Sequence, residues 1–577
     1  MPHLPEKTAS AAHVPSSAWQ RVAASAMSER WLLRLAMAAL LAVYAQTLFF
    51  DFAYDDALLI LTNPWMQGWH SVGTIFTSTF WGFTPGQDGG AAVFYRPLTM
   101  MWLFLVNKIG FGMPGFFHLG VVLVHLIVTL EVAALGRRLT GDARAGALAA
   151  LVFAIHPTHI ESVAWISGIS DVLCAAFFLG ALLAYLRWAD GEGRRWLCLS
   201  LLLLEAALLS KETAALMVAL VFFDRLRQSR ERGWLARPVH ALFESAPWLL
   251  LTALHFAWQM HVTARYASAD SSGILTQPPA LAPWALCWYL KKQLLAAPVV
   301  MNYPPVVGGA LTAAQIAAGS AVSLVVLAVA AWLAWRSRAA QLLVLLFLFT
   351  LAPVVAGVQL LQLHDRYLYL PGIAVAIAAG VLLRRLPLLR DTAGRQFAVV
   401  LALLAVCVPV TFHEASFWST NLSLFQHSMD CVPHSSLAQY DLADAYLQIG
   451  RPEEAIPLMR RSVAEFPGIS RNWLHLASAL KQQHPEEAAY CARRVLEIRP
   501  VSRLTPEAFS ILGDVALARG DLAEAELWYR RRIVCDWPRV AAHRSLAAAL
   551  SLQGRRAEAA AEMQIVARLD AAQSAAK

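Results

Sequence analysis

The sequence predicts an all-α protein in two parts, a polytopic helical membrane domain of about eleven crossings and a C-terminal α-solenoid. Three observations lead there. The 577 residues are 58% hydrophobic and only 15% charged, against about 25% charged in an ordinary soluble chain. Apolar runs of roughly the length that crosses a bilayer's hydrocarbon core recur along the first 412 positions, too many to be one buried core. From position 436 the pattern changes to a repeat of about 34 residues, the spacing of tetratricopeptide helix pairs.

Taken in order, residues 1–30 are polar, Ala/Ser-rich and lack a cleavage signal, and they read as a cytoplasmic segment. The first apolar run, 31–50, is too long for a signal-peptide core and reads as an uncleaved crossing. Arg21, Arg30 and Arg34 flank its start, which places the N-terminus in the cytoplasm. A polar, aromatic segment follows to Arg96, and the short stretch 98–109 after Pro97 is expected to lie in or along the outer interface. Further crossings are expected at 116–135, 145–155, 172–188, 196–209, 213–223, 241–260, 313–335, 341–361, 367–383 and 397–412, with an amphipathic stretch at 284–295 between two of them. This register puts nearly every arginine cluster on one side, as the positive-inside rule requires. An odd number of crossings then leaves everything after Phe412 outside the cytoplasm. The expected divisions are 1–30, a membrane domain at 31–412, a linker at 413–435 and a repeat domain at 436–577.

The net charge of +8 follows from those loop arginines, and no nucleic-acid motif accompanies it. The seven cysteines form no CxxC pair and read as small buried hydrophobes. In the repeat domain Leu442, Ala443 and Tyr446 set a first-helix pattern, and Gly450, Ala455 and Pro467 follow at turn, second-helix and terminal positions. The small first-helix residue recurs at Ala477, Gly513 and Ala547, and the second-helix alanine at Ala488 or Ala489, Ala525 and Ala559. Such solenoids present a concave surface suited to protein segments.

Charged residues at the ends of crossings are costly and become functional candidates, and here they gather on the non-cytoplasmic side. Asp55 and Asp56 directly follow the first crossing. Two adjacent carboxylates raise one another's pKa, which suits a general base at the edge of a cleft; the alternative is a solvated pair that stops the helix. His156, His159 and Glu161, continuing to Asp171, follow Pro157, and a bend after that proline is expected. His, His and Glu are a possible ligand set for a divalent metal, but no standard zinc spacing is present, so no cofactor is indicated. Lys211 beside Glu212, and Arg366 in His364-Asp365-Arg366-Tyr367, run against the positive-inside bias. A lipid-linked phosphate at the outer interface would compensate them; the alternative is salt bridges, Lys211 to Glu212 and Arg366 to Asp365.

These motifs in this order, followed by tetratricopeptide (TPR) units, resemble the transmembrane-and-TPR O-mannosyltransferases and, more broadly, GT-C glycosyltransferases that use polyprenyl-phosphate sugars. The resemblance runs from about residue 49 to the C-terminus, although the array of about four units is shorter than in animal members. It implies a transfer of sugar from a polyprenyl-phosphate donor to an acceptor hydroxyl, with Asp55 as base and Asp56 positioning it. Lys211 and Arg366 would stabilise the leaving phosphate, His156, His159, Glu161, Asp171 and Tyr367 would line the substrate side, and the TPR groove would hold a protein or peptide acceptor. A composition bacterial in character implies an inner-membrane location, a periplasmic TPR domain and undecaprenyl phosphate as carrier. Three other readings stay open: a transferase acting on a lipid or surface glycan, a non-catalytic TPR scaffold, and a transporter of lipid-linked sugar.

Overall fold

The computed structural model describes residues 25–84, 94–264, 281–295, 297–301, 303, 312–356, 363–385, 393–500, 502, 504–535 and 539–575, and among these the regular structure is helical. Each of the eleven expected crossings coincides with helix over its described residues; the end of the one expected at 341–361, from 357 on, lies outside them. The first is α1, Glu29–Tyr44, extended by a 3-10 turn, Ala45–Phe49. Short α2, Ser71–Thr77, and α3, Pro97–Gly110, precede α4, Pro114–Thr140, and α5, Ala143–Ala154. Next come α6, Ile160–Ala164, α7, Ile169–Ala189, α8, Arg194–Ser210, and α9, Met217–Gln228, with a 3-10 turn Glu212–Leu216 ahead of α9. The membrane part ends with α10, Ala236–Thr263, α11, Leu281–Leu294, α12, Ala313–Arg336, α13, Arg338–Ala356, α14, Tyr369–Arg385, and α15, Ala393–Ser416. Seven helices are long and apolar enough to cross a membrane by themselves, or eight if the bent α5–α6 pair is one span. Length and hydropathy thus support seven or eight of the eleven expected crossings; α8, α9 and α10 rest on their place in the alternation.

That alternation is visible in side-chain chemistry. At one end of the bundle Arg138 pairs with Asp190, Arg225 with Glu244, Arg338 with Asp224 at 2.7 Å and Arg384 with Asp142 at 3.0 Å. Arg227 donates to the Ala334 carbonyl there. These residues come from the loops expected to be cytoplasmic. At the other end the 51–56 loop, 156–168, 211–212, 364–367 and 414–421 meet. Both ends of α3 bond to that second end, Arg96 to Glu212 and Lys108 to the Gln67 carbonyl, which agrees with an interfacial rather than a crossing helix. Small residues bring the central helices together: a Cβ on Gly380 of α14 would lie 2.3 Å from the Ala145 carbonyl oxygen of α5.

The repeat domain consists of four helix pairs. They run from α17, Ser436–Gln448, with α18, Pro452–Glu465, through α19, Ser470–Leu480, and α20, Pro485–Ile498. The last two are α21, Thr505–Ala518, with α22, Leu522–Val534, and α23, Arg539–Leu552, with α24, Arg556–Ala575. The small positions are buried as the pattern demands; at Gly513 a Cβ would sit 2.5 Å from the Tyr529 ring. Residues 413–435, expected as a linker, are largely helical. Helix α15 runs to Ser416, a 3-10 turn covers Phe417–Ser419, and α16, Asn421–Cys431, is capped by Thr420. Trp418, Leu424, Phe425 and Met429 from this stretch share one apolar cluster with Phe50, Ala53, Ile160 and Trp165 of the membrane domain and with Ala438, Leu442 and Ala445 of α17. Thr420, Leu424 and Phe425 form a helix start and an apolar face, which is why the segment packs instead of swinging free.

Candidate active site

The site is built on a sharply bent helix pair. Helix α5 ends at Ala154, and the chain turns by 60° before the 3-10 turn Pro157–His159 and α6. The break thus lies just ahead of Pro157 rather than after it. Proline fits the first position of the new helix, where no N–H is needed, and the His156 side chain accepts from the Thr158 N–H to cap it. Glu161 is carried on α6, Ser167 on the next turn, Ile166–Gly168, and Asp171 on α7. Gly168 permits this fold-back, because a Cβ there would lie 2.7 Å from the Glu161 carbonyl oxygen.

Around these turns the carboxylates and cations pair in an order different from either adjacent pair considered in the sequence. Lys211 bonds Asp171 at 2.6 Å, not Glu212. Arg366 pairs with Glu161, not Asp365, through its guanidinium and through its backbone N–H at 2.9 Å. Glu212 is held by Arg96 in a two-point contact of 3.0 and 2.6 Å. Asp365 accepts from Tyr303 at 2.6 Å and lies 3.3 Å from Lys292. Neighbours in sequence point apart at these corners, so each charge finds its partner on another element. The Tyr367 ring joins the two expected phosphate-binding cations, with the Lys211 ammonium 5.5 Å and the Arg366 guanidinium 5.1 Å from its centroid. Trp165 lies under the other side of Arg366 at 5.4 Å.

The acidic pair separates into two roles. Asp56 is fully buried; its carboxylate accepts from the Ala53 N–H at 3.1 Å, the Ser167 N–H at 2.8 Å and the Ser167 hydroxyl. It fastens the loop to the turn after α6. Asp55 makes no side-chain hydrogen bond or ion pair among the described residues, and it is only half-buried. Burial raises its pKa to about 6, opposed by the nearby Arg366 charge. Asp56 is raised to about 7, again by burial, with its hydrogen bonds to Ser167 and Ala53 pulling it down. Tyr54, just before them, has φ +55°, a left-handed conformation that is an outlier for a bulky residue.

The histidines stand apart from this cluster. His159 is buried and gives Nδ1 to the Phe153 carbonyl at 2.8 Å, packed on Phe153 and Tyr369. His156 contacts the Thr158 hydroxyl at 2.8 Å and the Gln293 carbonyl at 3.1 Å. Both fasten the bend, and only His159 Nε2 is left buried without a partner. Glu161, Asp171, Lys211, Arg366 and Tyr367 are brought together, with Asp55 beside them; His156 and His159 are not. No group of three metal-ligating side chains occurs among the described residues. Sequence reasoning missed Arg96, Lys292 and Tyr303. Arg96 carried a readable signal, since it too is an arginine on the side where the bias disfavours one.

Residues 96–258 match the profile described as dolichyl-phosphate-mannose-protein mannosyltransferase, and tetratricopeptide profiles match 437–479 and 477–537. Tmtc2 of Drosophila melanogaster, a protein O-mannosyl-transferase, is 38% identical over 189 residues, 31% of this chain and 20% of that one. The relatives this chain matches are named protein O-mannosyl-transferases. Human TMTC4 is 35% identical over 200 residues, 30% of this chain and 27% of that one. A protein O-mannosyl-transferase of Caenorhabditis elegans is 23% identical over 420 residues, 70% of this chain and 58% of that one. The match spans about a fifth of the length of the first of these relatives. The crystal structure of MamA superimposes with a TM-score of 0.25 at 19% identity, covering 26% of this chain and 88% of that one, too low to bear on the fold. The segment that matches the mannosyltransferase profile contains Arg96, Glu161, Asp171, Lys211 and Glu212 but ends before Arg366 and begins after Asp55.

Proposed function

We propose that this chain is a membrane glycosyltransferase that moves a sugar from a polyprenyl-phosphate donor to a Ser or Thr hydroxyl of a protein. The reading places the reaction on the non-cytoplasmic side of a bacterial inner membrane, with the TPR domain in the periplasm, where its groove recruits the acceptor polypeptide. The observation that carries it is the state of Asp55. Asp56, Glu161, Asp171, Glu212 and Asp365 are all engaged by donors, whereas Asp55 keeps its carboxylate unbonded near Arg366. A free carboxylate with a raised pKa, near a cation, is what base-assisted displacement at a phosphorylated carbon needs.

In this mechanism Asp55 takes the proton from the acceptor hydroxyl as its oxygen bonds to the anomeric carbon. The bond from that carbon to the donor phosphate oxygen breaks on the opposite face, so the configuration inverts. The polyprenyl phosphate leaves with the bonding pair, and Arg366 and Lys211 stabilise the growing charge. Lys211 uses one of its three N–H groups on Asp171, and Arg366 engages Glu161 through one edge, so both retain donors for phosphate. Glu161 and Asp171 hold these cations at the site, and Asp56 holds the loop.

The test is transfer from a purified lipid-linked sugar by Asp55→Asn and, separately, Asp56→Asn. Loss of general-base catalysis costs about 10²–10⁴-fold, expected for Asp55→Asn with donor binding intact. Loss confined to Asp56→Asn would reverse the two roles. Near-normal rates in both variants would shift the reading to a TPR scaffold.

A further inference from the structure

The TPR domain does not hang beside the membrane domain; it reaches the backbone of the catalytic loop. Three hydrogen bonds run in series from the first repeat to residue 54. In α17, Gln448 donates to Asp444 at 2.7 Å and accepts from the Asn421 Nδ2 at 3.1 Å. The Asn421 Oδ1 in turn accepts from the Tyr54 N–H at 2.6 Å. A second backbone bond, Asp51 N–H to the Ser419 carbonyl at 3.0 Å, ties the start of the same loop to the same junction. The Tyr54 ring is gripped between Trp165 at 5.9 Å and Phe425 of α16 at 6.0 Å.

These contacts matter because of what Tyr54 does. Its positive φ is disfavoured for a bulky L-residue and persists only when the surroundings over-determine it. The next residue is Asp55. If Tyr54 relaxed to an ordinary extended or helical φ, the peptide leading into Asp55 would rotate and carry that carboxylate away from Arg366. Asp56 fixes the loop from the other side through Ser167, so the freedom left is concentrated at Tyr54.

We infer that Asn421 is a positioning residue: by accepting the Tyr54 N–H it holds Tyr54 left-handed, aims Asp55 at the reaction centre, and through Gln448 makes that alignment depend on the first TPR repeat. This deepens, and rests on, the reading of Asp55 as base. It also assigns the TPR domain a part in the chemistry beyond holding an acceptor, since movement of α17 displaces Gln448 and so Asn421.

The test is a double-mutant cycle on the full-length protein, with glycine at position 54 as the second change, because glycine takes positive φ at little cost. Asn421→Ala alone should lower kcat about tenfold, the size of a left-handed penalty, with the KM for the lipid donor and the melting midpoint nearly unchanged. In the Tyr54→Gly background the same change should cost less than about threefold. An equal cost in both backgrounds, or none in either, overturns the proposal. Should Asn421→Ala fail to assemble, Gln448→Ala, which cuts the bond from α17 to Asn421, should lower kcat about threefold with Tyr54 in place and less in the Tyr54→Gly background; an equal cost in both backgrounds, or none in either, likewise overturns it. Asp55→Asn, assayed in parallel, separates the outcomes. An inactive Asp55→Asn with an unaffected Asn421→Ala refutes only the positioning role, whereas an active Asp55→Asn refutes the base on which it rests.

Discussion

Removing the charge from Glu161 is the perturbation whose cost the geometry sets most tightly. The side chain is fully buried; it accepts the Arg366 backbone N–H at 2.9 Å and one edge of its guanidinium, and His364 Nδ1 lies 3.3 Å away. Glu161→Gln preserves shape and one acceptor oxygen but leaves the Arg366 cation, itself 18% exposed, without its counter-charge. Deleting one partner of a buried pair costs about 3–5 kcal/mol, and the retained acceptor points to the lower end, about 3 kcal/mol. Arg366→Gln alone should cost a similar amount by stranding Glu161. The double variant removes both charges, so its cost should fall short of the sum by about 2 kcal/mol. The assay is denaturant unfolding of the four proteins in one detergent, followed by helical circular dichroism. Additive costs, or a Glu161→Gln protein as stable as the parent, would refute the pairing and with it the idea that Glu161 holds Arg366 in place.

Lys211→Met strands Asp171, so it should lower the melting midpoint; Lys211→Met/Asp171→Asn should recover the fold yet not bind donor, checked by melting and by lipid-donor binding. Asp55, with its pKa raised to about 6, should give a transfer rate that falls about tenfold per pH unit below that value and is flat above it, measured as a pH–rate profile. Its ionisation in the folded state costs stability that is absent below pH 4 and complete above pH 6, at most about 3 kcal/mol, so Asp55→Asn should melt higher than the parent at pH 8 and equally at pH 4. Deleting 505–577 should leave an assembled membrane domain by size-exclusion chromatography, whereas deleting from 436 strips Ala438, Leu442 and Ala445 from the shared cluster and should impair assembly.

Much of the fold was legible because bilayer physics writes it plainly. Apolar run length located the helices, arginine loops sorted their ends, and the recurrence of small residues such as Ala477 and Gly513 marked the solenoid. The site was legible as a set of residues but not as a set of contacts. Lys211 and Glu212, or Asp365 and Arg366, look like pairs in sequence, yet each sits at a helix start where consecutive side chains diverge, so their partners come from 96, 171, 161 and 292. The distinction between Asp55 and Asp56 was equally out of reach, because it depends on Ser167 bonding one of them. His156 and His159 attracted attention as polar residues near a proline; their ring atoms turn out to stabilise a 60° bend. The junction 413–435 read as a linker because its apolar residues are interspersed with polar ones, and their common cluster forms only when residues 50–54, 160–165 and α17 come together.

The central claim is that this chain attaches sugar to protein hydroxyls through Asp55. The most direct measurement is glycopeptide mass spectrometry on envelope and secreted proteins from cells carrying either the parent protein or Asp55→Asn at equal abundance in the membrane. The account predicts Ser- or Thr-linked sugar on a set of proteins in the parent cells and its loss from those same sites in the Asp55→Asn cells. The same O-linked profile in both would contradict it.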